Sequence, residues 1–199
     1  QAENPVRFDA FFSFVSANGG WSDVGGSTFK LNMRANTESL SLTGLIQGLY
    51  DSGSNTSLSD TITVKLRNST SPYAVVSTDR ALNNSNGVTS FTFSNLTIGG
   101  SYYIDVSNRN ILEVWSNSPV TYTSSGLVSY DFTTASSQGY GSTPLVQNGS
   151  KWCFWSGDVN QDQAIDASDL SAEENGAANS LTGYVPEDVN GDDFVDAAD

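Results

Sequence analysis

Four aspartates fall within twelve residues of the stretch GDVNQDQAIDASDL, Gly157 to Leu170. Counted from Asp158, side-chain oxygens recur at Asp158, Asn160, Asp162, Asp166 and Asp169, which are positions one, three, five, nine and twelve of a twelve-residue loop. Ala164, at position seven, offers its backbone carbonyl. The pattern returns thirty residues later at Asp188, Asn190, Asp192, the Phe194 carbonyl, Asp196 and Asp199. Hard oxygen donors in this alternation let a curved loop aim six to eight ligands at one cation, and Ca2+ is the ion that takes such a set. Two carboxylates about 4 Å apart repel by roughly 4 kcal/mol at an effective dielectric near 20, so an unneutralised loop would be forced open. Two Ca2+ ions, one per loop, are therefore expected. Ile165 and Val195, at position eight of each loop, are the expected apolar pins between the loops.

Other chemistries are closed off by composition. The chain has no His and a single Cys, Cys153, so Ser-His-Asp and Cys-His triads and the usual His-based zinc sites are excluded. Cys153, among the aromatics of KWCFW, reads as a buried structural thiol. Asp105 and Glu113 lie on successive segments, but isolated acids on strand faces are usually solvated or salt-bridged, so no enzymatic activity is expected. Net charge is −14, and residues 151–199 hold twelve acids against Lys151 alone. Nucleic acids and anionic membranes attract basic patches, and this chain has none to offer. No apolar run reaches transmembrane length. A calmodulin-type switch exposes a Met-rich groove, whereas Met33 is the one methionine, so calcium is expected to be structural.

The elements around the loops read as β. TITVKLRN alternates Ile62, Val64 and Leu66 against Thr63, Lys65 and Arg67. VTSFTFSNL aligns Phe91 with Phe93, SYYIDVSNRN aligns Tyr102, Ile104 and Val106, and LVSYDFTT turns Val128, Tyr130 and Phe132 inward. Gly, Asn, Ser and Pro clusters divide these runs, the pattern of an antiparallel sandwich. A helix is expected from about Ala167 through SDLSAEENGAAN. The segment RFDAFFSFV, Arg7 to Val15, is apolar on both strand faces. It is either a central strand of this chain's own sandwich or a strand given to a neighbouring subunit's sheet. Three parts follow: 1–38 as N-terminal strand and Gly-rich hinge, 39–150 as β-sandwich, and 151–199 as calcium module.

The order from Leu40 to Thr134 resembles the prealbumin-like sandwich of bacterial carboxypeptidase-regulatory-like domains. TITVKLRN, the crossing strand YAVVSTD and GVTSFTFSNLTIGGSYYIDV carry that likeness. The short aromatic KWCFWSG before the first loop, Asp at position twelve and two copies of the loop resemble type I dockerin repeats, each a calcium loop followed by one helix. The resemblance implies that Asp169 and Asp199 close the metal shells. The family commonly has Gly at position six, where this chain has Gln163 and Asp193. Asp tolerates a left-handed backbone moderately and Gln poorly, so the first loop is expected to be strained. The second repeat stops at its closing ligand, Asp199, without a helix, so either further chain is expected beyond it or another molecule completes the loop.

The fold class is thus mainly β, a sandwich followed by a small dockerin-like module. The favoured function is a non-enzymatic, secreted or cell-surface structural or adhesive protein, a fibre subunit that self-associates through its N-terminal strand. The alternative is a dockerin plug that docks the sandwich, as a glycan-binding cargo, onto a cohesin-like receptor. Positions ten and eleven, Ala167–Ser168 and Ala197–Ala198, are small for that recognition. Trp115, Trp152 and Trp155 read as apolar strand residues, which leaves Trp21 for a sugar. Sequons at Asn55, Asn68, Asn83, Asn95 and Asn148 permit glycosylation without establishing it.

Overall fold

The computed structural model describes residues 21–22, 28–29, 38–123 and 127–199. Two compact units divide at Ala35/Asn36. In the first, β1 (Trp21–Ser22) pairs antiparallel with β2 (Thr28–Phe29), setting Trp21 opposite Phe29. The segment Arg7–Val15 lies outside the described residues, and with it the choice between its two expected roles.

The second unit begins with β3 (Glu38–Thr43), followed by the short hairpin β4 (Tyr50–Asp51) and β5 (Thr56–Ser57). Next come β6 (Thr61–Asn68), β7 (Val75–Leu82), β8 (Val88–Phe93) and β9 (Ser101–Ser107). The short β10 (Val114–Trp115) and β11 (Val120–Thr121) both pair with β9, and β12 (Leu127–Asp131) follows. Last are the hairpin β13 (Val146–Asn148) and β14 (Lys151–Cys153), then α1 (Ala167–Ala178). The described residues are mainly β, with one α-helix. None of their helices is long and apolar enough to cross a membrane.

One sheet runs β10-β9-β6-β7 and the other β12-β3-β8. Their facing side chains form one core: Leu40, Leu42, Phe91 and Phe93 from one sheet meet Ile62, Val64, Leu66, Ile104 and Val106 from the other. Strict alternation puts these residues inside, because successive side chains on a strand point to opposite faces. Each fully buried Val, Leu, Ile or Phe contributes roughly 1.5–3 kcal/mol. Where β8 runs beside β7, the Thr92 N–H donates to Asp79 Oδ2 at 2.7 Å and the Ser94 N–H to Ser77 Oγ at 3.3 Å. Side chains thus satisfy an edge that would otherwise invite another strand.

Among the described strands the expected antiparallel pattern has one exception, besides the isolated parallel bridge between Ile46 and Phe154. β12 lies parallel to β3, with Val128 opposite Leu40 and Tyr130 opposite Leu42. The chain crosses from the other sheet after β11 before it forms β12, so no hairpin imposes an antiparallel direction. Trp115 also departs from expectation. Val114 faces the core, so Trp115 stands on the outer face, under the Arg67 guanidinium at 4.8 Å and beside Tyr73 and Tyr103.

Candidate metal centre

The chain that leads into the first loop is anchored in the sandwich. Phe154 is fully buried in the shared core, its N–H donates to the Leu45 carbonyl at 2.7 Å, and its carbonyl accepts the Gln47 N–H at 3.0 Å. Gly44 makes room for it, since a Cβ there would lie 2.5 Å from the Phe154 ring. The 150/151 boundary expected from sequence therefore runs inside one compact unit. Cys153 is buried beside Leu45 and Tyr50, and burial pushes its thiol up to about 12.

The two acidic loops carry the same internal hydrogen-bond pattern. In the first, Asp158 Oδ1 accepts the Asp162 N–H at 3.1 Å and Oδ2 accepts that of Gln163 at 3.2 Å. In the second, Asp188 Oδ1 accepts from Asp192 at 3.1 Å and Oδ2 from Asp193 at 3.3 Å. Asn160 Oδ1 accepts the Asp162 N–H, as Asn190 accepts that of Asp192; Asp162 accepts from Ala164, as Asp192 accepts from Phe194. Asp169 accepts the N–H groups of Asn160 and Asp166, and Asp199 those of Asn190 and Asp196. Asp166 and Asp196 each accept the N–H two residues on, from Ser168 and Ala198. These bonds recur at the same positions of both loops, and the second loop adds two, from the Val189 N–H to Asp199 Oδ1 at 2.8 Å and from the Gly191 N–H to Asp188 Oδ1 at 2.7 Å.

These bonds explain why the loops curl. Turning successive N–H groups toward one carboxylate requires left-handed backbone at positions four and six: Gln161 and Gln163 have φ of 59° and 74°, Gly191 and Asp193 have 78° and 66°. Only position four of the second loop carries Gly. The strain expected at Gln163 is therefore present in the backbone, and Gln161 shares it. Asp166 is the N-cap of α1, and with Asp169 it forms a reciprocal capping box. The same two residues thus finish the first loop and start the helix, within a residue of the expected start.

The donor set is oxygen only, from carboxylates, carboxamides and backbone carbonyls, which suits a hard divalent cation. Asp158, Asp169 and Asp188 are each 1% exposed, unusual for anions. Burial lifts the Asp158 carboxyl above its ordinary value, opposed by the Gln163 N–H and reinforced by the charge of Asp169. Among the described residues, however, no three acidic side chains are gathered into a ready cage. The carboxylates are spent on the loop's own N–H groups.

The pins behave unequally. Val195 is fully buried; its N–H donates to the Leu181 carbonyl at 3.0 Å, and its methyl would stand 3.1 Å from a Cβ on Gly176 of α1. Ile165 is 44% exposed and lines a cleft of about 480 Å³ shared with Gly48, Asp169, Glu173, Val189 and Asp199. It does not pin the loops to each other. Burial raises the Glu173 carboxyl there, helped by the charges of Asp199, Asp169 and Glu187.

Sequence reasoning missed the sandwich residues that hold the loops. The Asn110 carbonyl accepts the N–H groups of Gly157 and Asp158 at 2.8 and 3.0 Å, and its side chain donates to the carbonyls of Pro186 and Asp188 at 3.2 and 3.3 Å. Gln161 donates to the Asn108 carbonyl. Arg109 donates to the Val185 and Asp188 carbonyls and to Asp60 Oδ2, the last at 3.0 Å. A Cβ on Gly48 would meet the Val189 carbonyl at 2.5 Å. A polar tripeptide after a strand gives no local sign of such a task.

Asp105 and Glu113, outside the loops, are paired with bases. Asp105 is fully buried, with Arg67 Nε at 2.6 Å and Lys65 Nζ at 3.6 Å, and Lys65 also reaches Glu113 at 3.2 Å. Burial raises the Asp105 carboxyl despite Arg67. Of the sequons, Asn83 is closed: it is 2% exposed, donates to the Gly44 carbonyl and accepts from Thr89. Asn55, Asn68 and Asn95 are exposed.

No protein-family model matches the chain, and no curated protein matches it. Among solved structures, it is similar to a C-terminal interface mutant of a type II cohesin–X–dockerin complex from Acetivibrio cellulolyticus at 14% identity. An N-terminal interface mutant of the same type of complex matches at 18% identity. Each match covers 79% of this chain and 86% of the other, with a TM-score of 0.41. At that score the likeness assigns neither a fold nor a function to this chain.

Proposed function

We propose that the protein is a non-enzymatic structural module of the cell exterior, in which two Ca2+ ions stiffen a pair of loops built onto a β-sandwich. The observation that carries this is the set of internal hydrogen bonds that recurs at the same positions of the two loops. Two unrelated acidic turns have no reason to share it, whereas two cation loops of one type do. Asp158, Asn160, Asp162, Ala164, Asp166 and Asp169 would hold one ion, and Asp188, Asn190, Asp192, Phe194, Asp196 and Asp199 the other. The bound ion would supply charge neutralisation alone. The chain's own residues curl the loop, start α1 and tie both loops to the sandwich.

The ion pairs that join Asp105 and Glu113 through Lys65 are compatible with a structural task. Calorimetric titration of chelator-treated protein with CaCl2 tests the proposal. Binding of two ions per chain supports it; no binding at millimolar calcium overturns it. Self-association into a fibre through Arg7–Val15 rests on sequence alone. Negative-stain microscopy of the intact protein, beside the protein lacking residues 1–16, decides it: fibres lost on deletion support the idea, and monomers in both end it.

A further inference from the structure

Arg109 is almost entirely enclosed, with a side chain 9% exposed. Its Nε donates to Asp60 Oδ2 at 3.0 Å, its Nη1 to the carbonyls of Val185 and Asp188, and its Nη2 lies 3.7 Å from Asp188 Oδ2. The guanidinium carbon sits 4.8 Å from the centre of the Tyr184 ring, and the Tyr184 hydroxyl donates to Asp60 Oδ1 at 2.6 Å. A sandwich residue thereby places a fixed positive charge against the first carboxylate of the second loop.

Among the described residues the first loop has no equivalent. Asp158 and Asp188 are equally buried, at 1% exposure, and each accepts the N–H groups of the residues four and five places on. Yet among the described residues Arg109 is the one basic side chain that pairs with an acid of either loop. Among the described residues, then, the second loop has a resident cation at its opening carboxylate and the first does not.

We propose that Arg109 is a built-in counter-cation that keeps the second loop folded without a metal ion, while the first loop depends on calcium for its fold. A buried carboxylate with no countercharge works against the conformation that buries it. Calcium removes that penalty from the first loop only when it binds. In the second loop the guanidinium removes it permanently, and its planar fork holds the backbone at Val185 and Asp188 as well. Asp60 and Tyr184 fix the fork, so the charge cannot swing away.

The proposal rests on the loops taking calcium, and its test separates the two ideas. Hydrogen exchange of the full chain is followed by mass spectrometry in EGTA and in calcium. In EGTA, peptides covering 158–166 are expected to exchange roughly tenfold or more faster than those covering 188–196, and calcium closes the gap. Arg109→Gln, in EGTA, brings 188–196 to the rate of the first loop, and Arg109→Lys leaves an intermediate rate. Equal exchange of the two loops in the unsubstituted protein in EGTA overturns the proposal without any variant. Protection of 188–196 that survives in a folded Arg109→Gln protein does the same. If calcium leaves both loops' exchange unchanged and no heat of binding appears, the calcium function fails, while the comparison in EGTA still decides the role of Arg109.

Discussion

The main-chain carbonyl of Asn110 accepts the N–H of Asp158 at 3.0 Å, so the sandwich grips the residue that opens the first loop. The Asn110 side chain reaches the Asp188 carbonyl at 3.3 Å, which opens the second. Calcium removal is therefore expected to loosen residues 158–178 while the sandwich core, Phe154 included, stays packed. Fluorescence from Trp152 and Trp155 should shift with EGTA while β-type circular dichroism persists. Loss of both signals together would mean that the sandwich itself depends on the metal.

Removing a ligand should matter far more to calcium binding than removing a buried acid elsewhere. Asp162→Ala and Asp169→Ala each delete a first-loop carboxylate and should weaken calcium binding by about an order of magnitude or more. Asp105→Ala strands Arg67 and leaves Lys65 with Glu113 alone, so it should lower Tm yet leave the calcium titration unchanged. Equal effects of the three substitutions on the titration would undo the ligand assignment.

Gly48 is required by distance, not by φ. A Cβ there would stand 2.5 Å from the Val189 carbonyl and 3.1 Å from Ser156 Oγ, which accepts the Gly48 N–H at 3.0 Å. Gly48→Ala should push the second loop off the sandwich at a cost of about 1–3 kcal/mol, read as a lower denaturation midpoint. An unchanged midpoint would show that the loop is not seated where these contacts put it.

How much of this was legible depended on the range of each interaction. Ile62, Val64 and Leu66 disclosed their face because a strand's period is local, and Asp166 and Asp169 disclosed both loop and helix start because capping spans three residues. The parallel partnership of β12 with β3 was hidden, since register between strands more than eighty residues apart leaves no local mark. Arg109 was hidden for the same reason: its carboxylate partner Asp188 is 79 residues away. Ile165 and Val195 occupy the same loop position, and only the packing of Gly176 against Val195 separates buried from exposed.

The Cys153 thiol should be inert. Burial pushes it up to about 12 from the ordinary thiol value of 9.0, so the folded chain holds the proton across the range where the unfolded chain loses it. Stability that depends on this group is full below about pH 9 and falls as pH rises toward 12. Tyr50 is raised by burial and by the neighbouring Cys153, and acts in the same direction. Iodoacetamide at pH 8.5 should modify Cys153 only after denaturant is added; rapid alkylation of the folded protein would contradict its burial.

Gln163 offers the sharpest test of the loop's backbone. Its φ of 74° lies in the left-handed region, which costs a non-glycine residue about 1–2 kcal/mol relative to the right-handed one. Glycine adopts that conformation freely, though its larger unfolded-state entropy returns part of the gain, roughly 0.5–1 kcal/mol. The net for Gln163→Gly thus runs from about zero to about 1.5 kcal/mol in favour of glycine. Because the N–H of residue 163 still donates to Asp158 Oδ2, that gain should appear as calcium affinity in the first loop, a few-fold tighter. Ala164→Gly, one residue on and outside the left-handed region, receives the entropic cost with no relief and should bind more weakly. If both glycine variants weaken binding alike, position six is not strained, and the curl of the first loop must come from its carboxylates alone.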